Sequence, residues 1–253
     1  MGDAIGWISV EHLPEKCALK LTVSTSLVDV LPEVVAKVRW LFDTDCDPMA
    51  IEAALGDFYK QVTPENHIPG VRVPCSFDGF EMAVRAILGQ QITVKAATTL
   101  AGRVAAAFGE PYPQDSAHAA PPFPELVTVF PAPEAFCADD APQRLGELGV
   151  IRTRSNAICA IAKKLVDGSL QLKPGADPQE TMKELESIKG IGPWTAHYVA
   201  MRALAWPDAF PKEDYGIKLA FPDMKPREIE KLSQPWRPYR SYAVMSLWQK
   251  PHE

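Results

Sequence analysis

No apolar run in this 253-residue chain approaches the ~18–20 residues that a membrane-spanning helix needs. Asp3, Glu11, Glu15 and Lys16 interrupt its start, so a signal-peptide core is not expected there. Basic residues are outnumbered, with 26 Lys and Arg against 32 Asp and Glu and a net charge of −6. That balance argues against holding nucleic acid by bulk electrostatics; any DNA binding would need a local device. The five cysteines, Cys17, Cys46, Cys75, Cys137 and Cys159, include no pair within four residues of each other. Zinc-ribbon, CxxC and clustered iron–sulfur spacings are therefore absent. Free thiols in a reducing compartment are the simplest reading, and a cytoplasmic location is expected.

What is present is an ordinary globular composition, 47% hydrophobic and 23% charged, with length for one large domain or two small ones. Leu19, Leu21 and Val23 alternate with Lys20 and Thr22, which predicts a half-buried strand whose partners would come from Trp7–Val10 or from residues not present in this chain. Pro32 opens a predicted helix with Val34, Val35, Val38, Leu41 and Phe42 on one face. Asp47 and Pro48 read as an N-cap and first helical residue of a short helix through Gly56. Thr63–Pro74 reads as a linker or loop. A helical stretch from about Asp78 to Phe108 places Phe80, Val84, Ile87, Val94 and Leu100 in period, with a corner at Gly89-Gln90-Gln91. Gly109–Pro124 reads as an exposed connection of no assigned function. Short helices are then expected over 133–138, 141–148, 153–167 and 177–188, and more of them, punctuated by Pro, to the end. The chain is thus expected to be mainly α, with a small β element at the front.

The most informative stretch is LESIKGIGPWTAHYVA, Leu185–Ala200. Gly190 and Gly192 flank one apolar residue between two predicted helices, and Pro193 presets the second. Glycine corners let the backbone approach a ligand. Free amides at the second helix's start form an anion site, and Lys189 adds a cation beside it. Apolar-x-Gly-apolar-Gly-x between helices is a helix-hairpin-helix pattern. It can position one strand's phosphates through neutral amides, which fits a negatively charged chain. Twenty residues beyond Trp194, Asp214 is either a simple N-cap or a carboxylate returning toward the hairpin. Trp194 and Tyr198 share one helix face; they are either core or, with the other aromatics that follow the hairpin, a wall on which a planar ligand stacks.

The segments FDGFEMAVRAILGQQITVKAATTLAGRVAAAFGE (Phe77–Glu110), SIKGIGPWTAHYVAMRALAWPDAFPKEDYGIK (Ser187–Lys218) and WRPYRSYAVMSLW (Trp236–Trp248) resemble the helix-hairpin-helix (HhH-GPD) DNA glycosylases. Within them the likeness is to the 3-methyladenine DNA glycosylase II (AlkA) type. The resemblance implies two helical lobes: residues 74–204, containing the hairpin at 185–200, and residues 47–73 plus 205–253. Residues 1–46 would be a shortened remnant of an N-terminal β/α domain, a strand edge left unpaired there being an aggregation liability.

The resemblance also assigns roles. Asp214 falls on the catalytic aspartate, and Trp194, Tyr198 and Trp248 on the base pocket. Gln91 falls where a side chain fills the gap left by a flipped nucleotide. The amides of Gly190 and Gly192 fall on the phosphate grip, beside Lys189, and the carbonyls of Glu186, Ile188 and Ile191 on a site for a monovalent cation, Na+ or K+. No other cofactor is implied. Glycosylases that also nick the strand carry Lys where this chain has Trp194, so a Schiff-base amine is not expected. Glu213 is not expected to be a second carboxylate, since neighbouring helix residues face different ways. The implied activity is hydrolysis of the N-glycosidic bond of 3-methyl or 7-methyl purines in double-stranded DNA, by a monomer with no membrane partner. A glycosylase for deaminated or oxidised bases, and a non-catalytic hairpin module, stay open as alternatives.

Overall fold

The structure, a computed structural model, describes residues 4–63, 67–113 and 120–249. Strands β1 (Ile8–Leu13) and β2 (Ala18–Val23) pair antiparallel, with Val10 opposite Leu21 and Ile8 opposite Val23. The predicted strand thus has the partner expected of it, extended by three residues. A 3-10 turn leads into α1 (Leu31–Leu41), whose Val34 and Val38 join Leu27 in a small core beneath the strands. Val35 and Phe42, expected on the same face, are 39% and 37% exposed. A helix capped by only two strands has too little facing surface to bury the whole stripe.

Helix α2 (Pro48–Val62) starts where predicted, with the Asp47 carboxylate accepting the Met49 and Ala50 amides. It runs on past Gly56, where an added Cβ would meet nothing. Ile51, Leu55, Phe58 and Tyr59 are buried along it, and that packing outweighs the ~1 kcal/mol by which glycine disfavours a helix. In the stretch read as a linker, residues 64–66 lie outside the described residues. The rest is an inward strap: Val71 and Val73 are buried, as is Cys75 just after it. Asp43 anchors it, its Oδ2 accepting the Val73 amide (3.0 Å) and the Tyr242 hydroxyl (2.9 Å).

Helices α3 (Gly79–Leu88) and α4 (Val94–Phe108) meet at the predicted corner. Val94 is not part of the core: it is 84% exposed, because it opens α4 at the rim of the turn. A second hairpin follows, β3 (Glu110–Pro111) with β4 (Thr128–Val129), which sequence periodicity does not signal because each strand has only two residues. Residues 114–119 of the predicted connection lie outside the described residues. Then come α5 (Ala141–Glu147), α6 (Arg152–Val166), α7 (Pro178–Glu186) and α8 (Pro193–Ala203). The last three helices are α9 (Tyr215–Ala220), α10 (Pro226–Leu232) and α11 (Arg240–Trp248).

One core collects α3 to α8 around Phe80, Ile87, Phe136, Ile158 and Leu185. The other joins α2 to α9, α10 and α11 around Leu55, Met201, Ile217, Trp236 and Leu247. Helix α8 contributes to both, Ala196 and Val199 to the first and Ala200 and Met201 to the second. The hairpin cleft lies along this shared helix.

Candidate functional site at the hairpin cleft

Helix α7 ends at Glu186, and Ile188 and Ile191 point into the core to fix the turn. Gly190 has φ +99°, and a Cβ there would sit 2.9 Å from Thr153 Cγ2. Both facts require glycine. Gly192 differs: its backbone is extended and a Cβ would meet nothing. What Gly192 provides is open space in front of the α8 N-terminus. That helix has no side-chain cap, so its first amides face outward with the positive end of the helix dipole. Lys189 is exposed beside them.

The α3–α4 corner packs on this hairpin. Gln90 Nε2 donates to the Gly190 carbonyl (3.1 Å) and to Thr195 Oγ1 (3.0 Å). Arg154 in turn donates to the Gln90 carbonyl. Gln91 is thereby held at φ +52° with an exposed side chain, a conformation uncommon outside glycine. Gln90 and Arg154 were not singled out in the sequence. The polar break after Gly89 signalled the corner but not which glutamine would bind the hairpin.

Asp214 is both an N-cap and a site carboxylate. Its Oδ1 accepts the Gly216 and Ile217 amides (2.8 and 3.3 Å), which caps α9. The same oxygen accepts Trp248 Nε1–H (2.8 Å), and Oδ2 accepts Trp194 Nε1–H (2.9 Å). The two readings of Asp214 left open by the sequence are thus one geometry. Gly216 makes it possible, since a Cβ there would lie 2.7 Å from Trp248 Cδ1; no local sequence feature signals that contact.

The rings of Trp194 and Tyr198 stack at 5.2 Å and 11°, and Tyr198 meets Trp248 at 6.1 Å and 44°. A planar base between two rings needs about 7 Å, two contacts of about 3.5 Å. The rings must therefore part to admit one between them.

A cleft of about 970 Å³ brings Gln91, Gly190, Gly192, Trp194 and Asp214 together. Tyr198 and Trp248 are not among its lining residues; Tyr198 stacks on Trp194, and Trp248 meets Tyr198 at a tilt. Glu213 does line it, contrary to the helix-face argument. It precedes α9 rather than lying on it, so helical spacing does not turn it away from Asp214. Lys218 is the lysine among the lining residues. Of the three carbonyls expected to hold a cation, that of Ile188 accepts the Ile191 amide (3.0 Å) and keeps a second lone pair.

The loop that delivers Asp214 is secured by side chains. Asp208 and Arg240 form a buried two-bond pair (2.7 and 2.8 Å), and Arg240 also reaches the Asp208 carbonyl (2.9 Å). Ser241 Oγ donates to the carbonyls of Trp206 (2.8 Å) and Ala209 (3.1 Å) as alternatives. Helix α11 therefore grips the loop's start through Arg240 and Ser241, and its end through Trp248. His197 Nδ1 accepts the Phe210 amide (3.2 Å). Burial, reinforced by the Arg240 and Lys212 charges, pushes the His197 pKa down to about 4, so this ring is neutral near pH 7. Among the described residues no group of three or more His, Cys, Asp or Glu is arranged to hold a metal ion, and no helix is long and apolar enough to cross a membrane.

Comparison with known proteins places these features. The AlkA N-terminal domain family matches residues 1–78, and the HhH-GPD superfamily of base excision DNA repair proteins matches residues 84–237. DNA-3-methyladenine glycosylase 2 of Escherichia coli (strain K12) is 37% identical over 230 residues, covering 91% of this chain and 76% of that enzyme. A probable bifunctional transcriptional activator/DNA repair enzyme AlkA of Mycobacterium tuberculosis is 38% identical over 96% of this chain; the chain spans 47% of its length. Among solved structures, the 3-methyladenine DNA-glycosylase from Archaeoglobus fulgidus superposes with a TM-score of 0.71 at 21% identity, over 95% of this chain and 81% of that one. The Clostridium acetobutylicum 8-oxoguanine glycosylase/lyase in complex with DNA gives 0.72 at 16% identity, over 96% and 80%. At those identities the two structures share a fold.

Proposed function

The chain belongs to the HhH-GPD superfamily of base excision DNA repair proteins, and on that footing we propose that it is a DNA glycosylase that excises alkylated purines from double-stranded DNA. The observation that carries this reading is the Asp214 carboxylate, held between two indole N–H groups at a cleft that also presents the hairpin. Amides at Gly190, Gly192 and the start of α8 would take the phosphates of one strand, with Lys189 alongside. Gln91 would fill the space a flipped nucleotide leaves. Extrusion costs a few kcal/mol, least for a damaged pair.

A purine methylated at N3 or N7 carries positive charge. It is attracted to the faces of Trp194, Tyr198 and Trp248 by ~0.5–2 kcal/mol and is already a good leaving group. The remaining need is to stabilise an oxocarbenium-like sugar, which an ionised Asp214 does electrostatically while it orients the attacking water. A single carboxylate suffices because a cationic leaving group needs no strong acid. The four N–H donors fix that carboxylate in place before the substrate arrives. A Na+ or K+ ion at the hairpin would be held by the carbonyls of Glu186, Ile188 and Ile191 and would add positive charge near the phosphates. The protein would act as a monomer in the cytoplasm.

Trp194 stands two residues past Gly192, and no strand-nicking activity is proposed. The test is incubation with methylated duplex DNA. Release of 3-methyladenine and 7-methylguanine is expected, with strand breaks only after alkali. Borohydride trapping of a covalent adduct, with Lys218 the first residue to map, would overturn the monofunctional reading. Tight binding to the lesion with no release would favour a non-catalytic module.

A further inference from the structure

Arg202 lies one turn beyond Tyr198 on α8, so Trp194, Tyr198 and Arg202 form an i, i+4, i+8 ladder on one face. Its guanidinium carbon is 5.7 Å from the centre of the Tyr198 ring and 5.6 Å from that of Trp248. Both distances are within cation–π range. Arg202 Nη1 donates to the Pro74 carbonyl, and its buried Nε–H has no acceptor. No carboxylate pairs with it among the described residues, where Asp208, Glu81 and Asp45 each take another arginine. A half-buried guanidinium without a counter-ion is unfavourable, and this one is pressed against two of the three rings to which a cationic base would be drawn.

We propose that Arg202 sets the charge preference of the base pocket, tempering its selectivity for cationic bases so that neutral damaged bases are accepted as well. This inference rests on the proposed glycosylase function. The physical basis is that a ring's quadrupole attracts positive charge at its faces, so a ring already in contact with a guanidinium offers less to a second cation. A base stacked on either ring would also lie about 9 Å from the guanidinium, where two like charges at an effective dielectric of about 20 repel by up to roughly a twentyfold factor in an equilibrium constant, less where solvent screens the half-exposed guanidinium. A neutral base loses nothing of this kind and keeps its stacking. Arg202 touches the rings rather than the reacting atoms, so it is a specificity-determining residue and not a catalytic one.

The test compares single-turnover release of 7-methylguanine, which is charged, with that of hypoxanthine, which is neutral, from otherwise identical duplexes. Arg202→Met is expected to raise the 7-methylguanine to hypoxanthine rate ratio by about three- to tenfold. Arg202→Lys, which keeps the charge, is expected to hold the ratio within about twofold of wild type. Should Arg202→Met fail to fold, Arg202→Gln keeps a donor for the Pro74 carbonyl without the charge and is expected to shift the ratio the same way. Equal loss of both rates in the neutral variants, with an unchanged ratio, would assign Arg202 a purely structural role and overturn the proposal. So would a wild-type protein that releases 7-methylguanine but no hypoxanthine. A wild type that releases neither base overturns the glycosylase function itself, an outcome distinct from a failure at Arg202.

Discussion

The hairpin at Lys189–Pro193 and the loop that carries Asp214 face the same cleft, yet they are held in unlike ways. The hairpin takes its shape mainly from its own backbone, with a left-handed glycine, a proline at the first helical position and two buried isoleucines within a few residues, and Gln90 adds one tie from the α3–α4 corner. The Asp214 loop is fixed by partners far away in sequence. Arg240 grips Asp208 from 32 residues on, and Trp248 reaches Asp214 from 34. A group that binds a repeating phosphate backbone can be built from amides that every chain possesses. The proposed role of Asp214, facing one carbon of a sugar, would need side chains arranged by the tertiary fold, and this carboxylate has an indole N–H on each of its oxygens.

Four substitutions probe that contrast. Arg240→Met leaves the buried Asp208 carboxylate without its main partner, and a loss of about 3–5 kcal/mol in denaturant stability is expected. Retained stability would show that Arg237, 3.2 Å from Asp208, carries the pair unaided.

His197 comes next. It is neutral in the fold, with a pKa near 4, whereas the unfolded ring titrates near its ordinary value of about 6.5. The unfolded state therefore binds more protons in that window. The contribution of His197 is complete above the unfolded pKa and is lost as pH falls from there toward 4. About 2 kcal/mol should vanish between pH 7 and pH 5, and His197→Gln should remove that part of the pH slope in urea titrations.

On the hairpin, Gly190→Ala forces a side chain into φ +99° against Thr153. A loss of about 1–2 kcal/mol is expected, together with weaker DNA binding. Gly192→Ala is the smallest perturbation of the fold, within about 1 kcal/mol of wild type, because nothing occupies the space its Cβ would take. Its effect should be confined to DNA, as several-fold weaker binding in a fluorescence titration. Equal behaviour of the two glycine variants would contradict the division between a strained corner and an open phosphate face.

The same contrast explains what could be read from the sequence. Local devices were legible: the caps at Asp47 and Asp214, the corner at Gly89-Gln90-Gln91, the hairpin glycines and the i, i+4 pair Trp194 and Tyr198. Each is encoded within about one helical turn. Contacts across the fold were not legible. Gly216 is required by an indole 32 positions later, and nothing in its neighbourhood announces that. Gln90 rather than Gln91 binds the hairpin because the corner turns one of them inward. Gly56 suggested a helix end, but burial on either side carries α2 through it. Val94 kept helical period and yet faces solvent, since period shows which residues share a face and not whether anything covers it.

The most direct test of the account is Asp214→Asn, assayed by single-turnover release of 7-methylguanine from duplex DNA beside a thermal melt of the free protein. Asparagine still caps α9, although its amide cannot accept from both indoles. A fall in release of about 10²–10³-fold with the melt largely retained is the predicted result. Release at the wild-type rate from a folded Asp214→Asn protein would contradict the claim that this carboxylate performs the chemistry.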